Sequence, residues 1–268
     1  MLLYTLITVN DPLMRKDDHS LHLAGLVLVL LTVAIPARAQ DGRNFIKVNV
    51  PGIFIHNYSL EYERGLKDHL SVGLGIRWMP KSGIPYKSTV ENIIDDDHTW
   101  QQIHDARISN FAITPEVRYY FGKRPLSGFY LAPFLRYASY HADIPSFTYE
   151  FSFTAPDNQV YTQTEHIPIS GTVHTGTVGL LVGAQWNLSH RLVLDVWFAG
   201  PQYGFSDGSI SGSRSLNEQE QQGLKEELDD LDFPIVKTKA YVDENGGRLD
   251  ISGPWTGLRS GIALAFRF

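Results

Sequence analysis

From Asn44 onward the chain alternates apolar with polar or small residues in runs of about eight to twelve positions. This is the period-2 signature of a strand with one face in an apolar medium. The last run is the plainest. Leu258, Ile262, Leu264, Phe266 and Phe268 share one parity, broken only by Ser260, while Gly257, Arg259, Gly261, Ala263, Ala265 and Arg267 share the other. The stretch NFIKVNV sets Ile46, Val48 and Val50 against Lys47 and Asn49. Further along, Tyr58, Leu60, Tyr62 and Leu66 oppose Ser59, Glu61, Glu63 and Gly65, and Leu70 to Trp78 oppose Ser71, Gly73, Gly75 and Arg77. The pattern recurs over 111–121, 129–137, 178–188 and 192–198. It predicts eight strands.

The connections sort by length. Short turns are expected around Lys67-Asp68, at GKRPLSG and at SHR, and PGIFIHN is also short. The connections after the third, fifth and seventh strands are long. Short turns alternating with long loops suit an all-β, eight-stranded antiparallel up-and-down transmembrane β-barrel with long extracellular loops. A soluble sandwich or lipocalin also alternates, but its oily face points into a packed core. Here the face opposite the oily one carries ten charges: Lys47, Glu61, Glu63, Arg77, Glu116, Arg118, Arg136, Asp195, Arg259 and Arg267. That set fits a wet or ion-paired lumen. Aromatics end the oily runs, with Tyr58, Trp78, Phe111, Tyr137 and Phe198 expected at the loop side and Phe121, Phe129, Trp186 and Phe268 at the turn side. Two such girdles match the two headgroup levels of a bilayer. Pro115 and Pro133 fall inside strands, where a bulge would accommodate them. Arg64 falls on the oily parity near a turn, from which its head can snorkel to the interface.

The start of the chain reads as a secretory signal peptide over residues 1–39. Arg15 and Lys16 are followed by an apolar stretch over 21–35 and then Ala37-Arg38-Ala39, so cleavage is expected after Ala39. The apolar run is about 15 residues, short of the roughly 20 a spanning helix needs. Met14 precedes the positive pair and is the expected start, which leaves 1–13 untranslated. Residues 40–268 then form the barrel domain.

Composition narrows the chemistry. A hydrophobic content of 43% argues against disorder, and 12% aromatics favour strands. The absence of Cys excludes a disulfide scaffold, a thiolate metal site, a cysteine nucleophile and a lipoprotein acylated on a thiol. A net charge of -6 argues against nucleic acid as a partner. No cofactor, metal or catalytic motif is expected: phosphate loops, G-x-S-x-G and H-E-x-x-H are absent. The lumen glycines Gly73, Gly75, Gly179, Gly183 and Gly261 leave room for water or ease curvature.

Two long connections carry features of their own. Ser215-x-x-Glu218 reads as a capping box opening an acidic helix. Leu224, Leu228 and Leu231 lie on one face, and Glu218, Glu220, Glu226, Glu227, Asp229 and Asp230 on the other. This helix either lies on the rim through its leucines or docks a partner. The next segment reads as a hairpin turning at Asn245-Gly246. Asp95, Asp96, Asp97, His98, His104 and Asp105 cluster in an earlier loop, but match no protease or deacylase pattern.

The stretches NYSLEYERGLKDHLSVGLGIRW, LDVWFAGPQYG and LNEQEQQGLKEELDDLD together resemble a family of small outer-membrane barrels from Bacteroidota, the domain of unknown function 3575. The resemblance implies an eight-stranded barrel of the OmpA-like or porin-like kind and no established activity. The expectation is a non-enzymatic structural or interaction protein acting through its extracellular loops. A small porin-like channel is the alternative, and a rim-located hydrolase is less favoured. Its expected partners are outer-membrane lipid and lipopolysaccharide, the barrel assembly machinery and a cell-surface protein. Leu264, Phe266 and Phe268 are the expected assembly signal, and Phe268 is the residue on which the closing strand stops.

Overall fold

The computed structural model describes residues 42–94, 96–154, 159–229 and 235–268. The expected leader, Asp95, Asp230 and Leu231 lie outside them. Nine strands form one antiparallel sheet: β1 (Asn44–Asn49), β2 (Tyr58–Lys67), β3 (Leu70–Gly83), β4 (Arg107–Tyr120), β5 (Gly128–Thr154), β6 (Val160–Asn187), β7 (Leu192–Ser213), β8 (Lys237–Asp243) and β9 (Gly246–Arg267). Each of β1 to β6 pairs with the next, β7 pairs with β9, and β9 returns to β1. Eight strands therefore close a ring, and β8 hangs on the outer part of β9 as a hairpin.

The stagger of the ring follows from its register. A row of partners runs from Val48 through Leu60, Ile76, Ile113, Tyr137, Gly176 and Phe205 to Pro254. Val48 itself pairs with Leu264, ten residues farther along β9 than Pro254. Strands must tilt to close with such a shear. Each row consequently climbs toward the loop side as it crosses the wall. This corrects one girdle assignment. Phe198 does not belong with the loop-side aromatics, because its ring lies 6.0 Å from that of Phe129, a turn-side residue. Equal position within a strand is not equal height in a tilted barrel.

Parity places the outer and inner faces as the alternation requires. Leu60, Leu74, Ile76, Leu135, Val178, Leu258 and Leu264 are exposed on the outside, while Lys47, Glu61, Glu63, Ser71, Thr114, Glu116, Arg118, Gln185 and Asp195 are buried inside. Arg64 is not among the buried charges: its position is on the outer face, as the parity requires. Pro115 and Pro133 produce no bulge. The β4–β5 ladder keeps one register from Ile113↔Tyr137 to Glu116↔Phe134 and Tyr119↔Leu131, skipping both prolines, while Pro115 pairs with Leu74 and Pro133 with Leu180 on their other sides. Both prolines point outward.

The loop side differs most from expectation. β5 has 27 residues and β6 has 28, whereas a strand of about 9–11 residues spans a bilayer. Most of the two long connections predicted after β5 and β7 is strand, extending the wall outward. The β8–β9 hairpin turns where Asn245-Gly246 predicts, with Gly246 at φ 137. Among the described residues there are four short helices: α1 (Val50–Phe54), α2 (Lys87–Ile94), α3 (Asp97–Ile103) and α4 (Glu218–Asp229).

Candidate functional site

The ion-paired network in the lumen draws its charges from inward positions of five strands, β1, β2, β4, β7 and β9. Lys47 Nζ donates to Asp195 Oδ2 at 2.6 Å and to Gln185 Oε1 at 2.8 Å, and it also pairs with Glu63 and, at 3.6 Å, with Glu61. Arg118 spreads its guanidinium over four carboxylates. It meets Glu61 at 2.5 Å, Asp195 at 2.6 Å and Glu63 at 3.4 Å, and pairs with Glu116 through Nε. Arg259 reaches Glu61 at 3.1 Å and pairs with Glu116. Four carboxylates thus share three bases. The surplus negative charge is met by neutral donors: Tyr120 to Glu63 at 2.7 Å, Tyr130 to Asp195 at 2.7 Å, Ser71 to Glu63 at 2.5 Å and the Trp197 indole to Asp195 at 3.1 Å. Buried charges persist only when paired and hydrogen-bonded in this way.

Rings frame the network. The Arg118 guanidinium carbon lies 4.6 Å from the Tyr130 ring, and that of Arg259 lies 4.3 Å from Trp197 and 5.5 Å from Phe134. Toward the turns, Phe45, Tyr120, Leu126 and Val193 are buried. Leu126 comes from the GKRPLSG turn. Its backbone adopts φ 50, its N–H donates to Asp68 O at 2.8 Å, and its carbonyl accepts from Gln185 Nε2 at 2.9 Å. A lone leucine in a polar turn is the one sequence signal for this inward cap.

Of the predicted lumen glycines, Gly179 and Gly183 make room for rings. A Cβ on Gly179 would run into the Phe134 ring, and one on Gly183 would run into the Tyr130 hydroxyl. Lys47, Glu61, Glu63, Arg118, Gln185 and Asp195 are each no more than 2% exposed. On the turn side these lumen side chains are shut off from solvent.

Eight of the ten predicted lumen charges are buried. Arg77 and Arg267 are half-buried. Arg267 lies at the turn side, 5.6 Å from the Phe45 ring. Arg77 and Arg136 sit on the loop side of the network. Arg136 donates from Nη1 to Thr114 Oγ1 at 3.4 Å, and its Nε is buried without a partner. Sequence parity turns the charges inward together with the neutral partners Ser71, Tyr120, Gln185 and Trp197, but it does not say which carboxylate each one meets.

The closing strand β9 pairs on both sides. Leu264 lies between Val48 and Leu194, and Phe266 between Ile46 and Leu192. Phe268 exchanges backbone hydrogen bonds with Asn44 at 2.9 and 3.1 Å.

The loop-side candidates separate. Asp96 caps α3, accepting from the Thr99 N–H at 3.2 Å. His104 and Asp105 form an exposed pair at 3.2 Å. Among the described residues nothing brings them to a nucleophile, and the side chain of His98 lies outside the described set. In α4 the cap is Asn217, not Ser215. Asn217 Oδ1 accepts from the Glu220 N–H at 2.9 Å and Glu220 Oε2 accepts from the Asn217 N–H at 2.8 Å, a reciprocal box two residues later than the motif suggests. Leu224 and Leu228 face an apolar cavity of about 230 Å³ with Ile167, Ile169, Ile210 and Leu249. Glu218 is exposed and Glu220 half-buried. The side chain of Glu227 lies outside the described set, as does Asp230.

A family model described as a protein of unknown function (DUF3575) matches residues 25–207. No curated protein matches the chain. Among solved structures, a major outer membrane protein from Thermus thermophilus is similar at 12% identity over 84% of this chain and 98% of that one, with a TM-score of 0.35. A Pseudomonas aeruginosa FadL homologue is similar at 9% identity over 79% and 78%, with a TM-score of 0.27.

Proposed function

The chain belongs to the family described as a protein of unknown function (DUF3575), and on that premise we propose that it is an integral outer-membrane barrel acting through its loop side as a structural or interaction protein. β9 returns to β1 over Ala263–Arg267 and closes the ring there, as strands that span hydrocarbon must. Its outer face is an apolar belt between aromatic levels. In this reading a leader ending at Ala39 exports the chain, and the closing strand ending in Leu264, Phe266 and Phe268 is read by the barrel assembly machinery.

One observation carries the choice between interaction protein and channel: the ion-paired plug fills the lumen from wall to wall. A conducting pore needs a hydrated path, and the near-complete burial of Lys47, Glu61, Glu63, Arg118 and Asp195 argues against one through the plug. The large surface lies instead on the loop side, where β5, β6, β7 and β9 run well beyond the belt and α4 offers Glu218 and Glu220. That surface is where lipopolysaccharide and a cell-surface protein partner are met. No enzymatic role is assigned.

Liposome swelling tests the choice. Proteoliposomes of the refolded chain should swell no faster than empty vesicles in isosmotic small sugars. Swelling at the rate of a general porin would replace this reading with the small-channel one.

A further inference from the structure

The barrel wall has a seam. β1 is six residues long; its pairing with β9 stops at Asn49↔Ala263 and its pairing with β2 stops at Val48↔Leu60. β8 joins the same edge of β9 only at Ser252. Among the described residues, no strand lies along that edge between Ser252 and Ala263. α1 fills the place, entered through Asn49, whose Oδ1 accepts from the Gly52 N–H at 3.0 Å.

A cavity of about 530 Å³ opens at this seam. Its walls join two environments. Arg77, Ser59 and Asn57 line it, and so do Phe198 and Ile262, which are exposed on the apolar belt. Ser260 lines it too. That serine is the one polar interruption of the oily face of β9 over 258–268, and it stands at the mouth.

Behind the mouth, positive charge has no carboxylate counter-ion among the described residues. Ile76↔Ile113↔Tyr137 is one row, so Arg77 on β3 and Arg136 on β5 flank that row, with β4 residues Ala112 and Thr114 between them. The charged groups acting on Arg77 are Arg136 and Arg259, with the Tyr140 hydroxyl. Arg259 is already committed to Glu61 and Glu116. Arg136 is 6% exposed and is hydrogen-bonded to neutral groups, Thr114 and the Tyr140 hydroxyl, while its Nε is buried without a partner among the described residues. Arg77 lines the cavity and Arg136 lies two strands away behind it; among the described residues no carboxylate is among the groups acting on either, so their forked donors suit an anion whose binding relieves their repulsion.

We propose that the barrel carries a lateral site for a membrane-derived amphiphile with an anionic head and an alkyl tail, its head held by Arg77 and Arg136 and its tail leaving the wall past Ser260, Phe198 and Ile262. The seam admits the tail sideways from the bilayer, and the plug beneath prevents passage to the turn side. The site is therefore a holding place rather than a conduit. It rests on the barrel being embedded in a membrane, which the heated and unheated mobility of the same preparation checks separately.

Native mass spectrometry of the mature chain released from non-ionic micelles reads the site directly, with dodecyl phosphate as probe. One equivalent should be retained. Inorganic phosphate and dodecanol should each bind at least tenfold more weakly, because each lacks half of the recognised chemistry. R77Q should lower dodecyl phosphate retention at least tenfold, and R77K should keep most of it. S260W, on the outer face and away from the arginines, should block entry without disturbing the plug. Each variant is first required to show the unheated mobility of the folded barrel; S260W keeps the test open if R77Q fails to fold. Equal binding of inorganic phosphate would overturn the membrane source and make the ligand a soluble anion. Equal binding of dodecanol, or full retention in both R77Q and S260W, would overturn the proposal.

Discussion

Arg118 touches four carboxylates and a tyrosine face from one position, and no other described residue in the lumen has that reach. Replacing it with methionine would leave Glu61, Glu63, Glu116 and Asp195 to Lys47 and Arg259 alone. Removing one partner of a buried ion pair costs roughly 3–5 kcal/mol. R118M is expected to lose about that much stability in urea unfolding of the refolded barrel, and R118K should rescue little, since an ammonium cannot fork. A loss under about 1 kcal/mol, the scale of an exposed pair, would contradict the network. Gly183 tests the packing beside it. A Cβ there meets the Tyr130 hydroxyl and, at 2.8 Å, the Val196 carbonyl, so G183A must push Tyr130 off Asp195. Overpacking of this kind costs about 1–3 kcal/mol, readable in the same unfolding experiment. At this scale the sequence is a good guide to which side chains face inward and a poor one to what each of them meets. Parity puts Lys47, Glu61, Glu63, Glu116, Arg118 and Asp195 together, because alternation leaves a charge only one side to face. It does not show that Gly179 and Gly183 seat Phe134 and Tyr130, because what a glycine makes room for lies on another strand.

Among the elements, turns and helices hold most of what alternation does not foresee. The GKRPLSG connection reads as a plain short turn, yet Leu126 folds under the wall and caps the core from below. L126A should cost about 2–5 kcal/mol, the range for a buried leucine, although the residue lies in a turn. α4 is visible as a helix from its leucine spacing, but the motif puts its start at Ser215 whereas Asn217 and Glu220 close the reciprocal cap. N217A should remove about 1 kcal/mol from that helix alone, seen as faster amide exchange over 218–224 with unchanged exchange in β1 to β4. The strand extensions escape the pattern for a different reason. Past the apolar belt both faces of β5, β6 and β7 meet water or the opposite wall, so the period-2 contrast that announces a strand fades while the backbone ladder continues. Serine-, threonine- and glycine-rich stretches such as 169–177 and 204–213 read as loop by composition and are held as strand by their neighbours.

For the molecule as a whole, closure is what the separate patterns add up to. The eight-strand ring is legible because its strands alternate and its connections sort by length. The tilt is not, because stagger is a property of pairing. It is this stagger that sets Phe198 beside Phe129 and leaves β9 uncovered above Asn49. Closure also makes β1 and β9 mutually dependent. Deleting Phe268 removes both backbone bonds to Asn44 and the ring stacked 6.5 Å from Phe266. In cells the deletion should lower the amount of folded barrel in the envelope several-fold, and normal levels would count against an assembly role for the closing strand.

The central claim is a closed barrel whose apolar belt requires a membrane-like medium. The most direct test is the mobility of the purified mature chain on a detergent gel, loaded without heating and after boiling. The unheated sample should run as a distinct folded species, converted to the full-length unfolded position by boiling, and the protein should precipitate or aggregate once detergent is withdrawn. A single band at one position under both conditions, together with a soluble monomer in detergent-free buffer, would contradict the account.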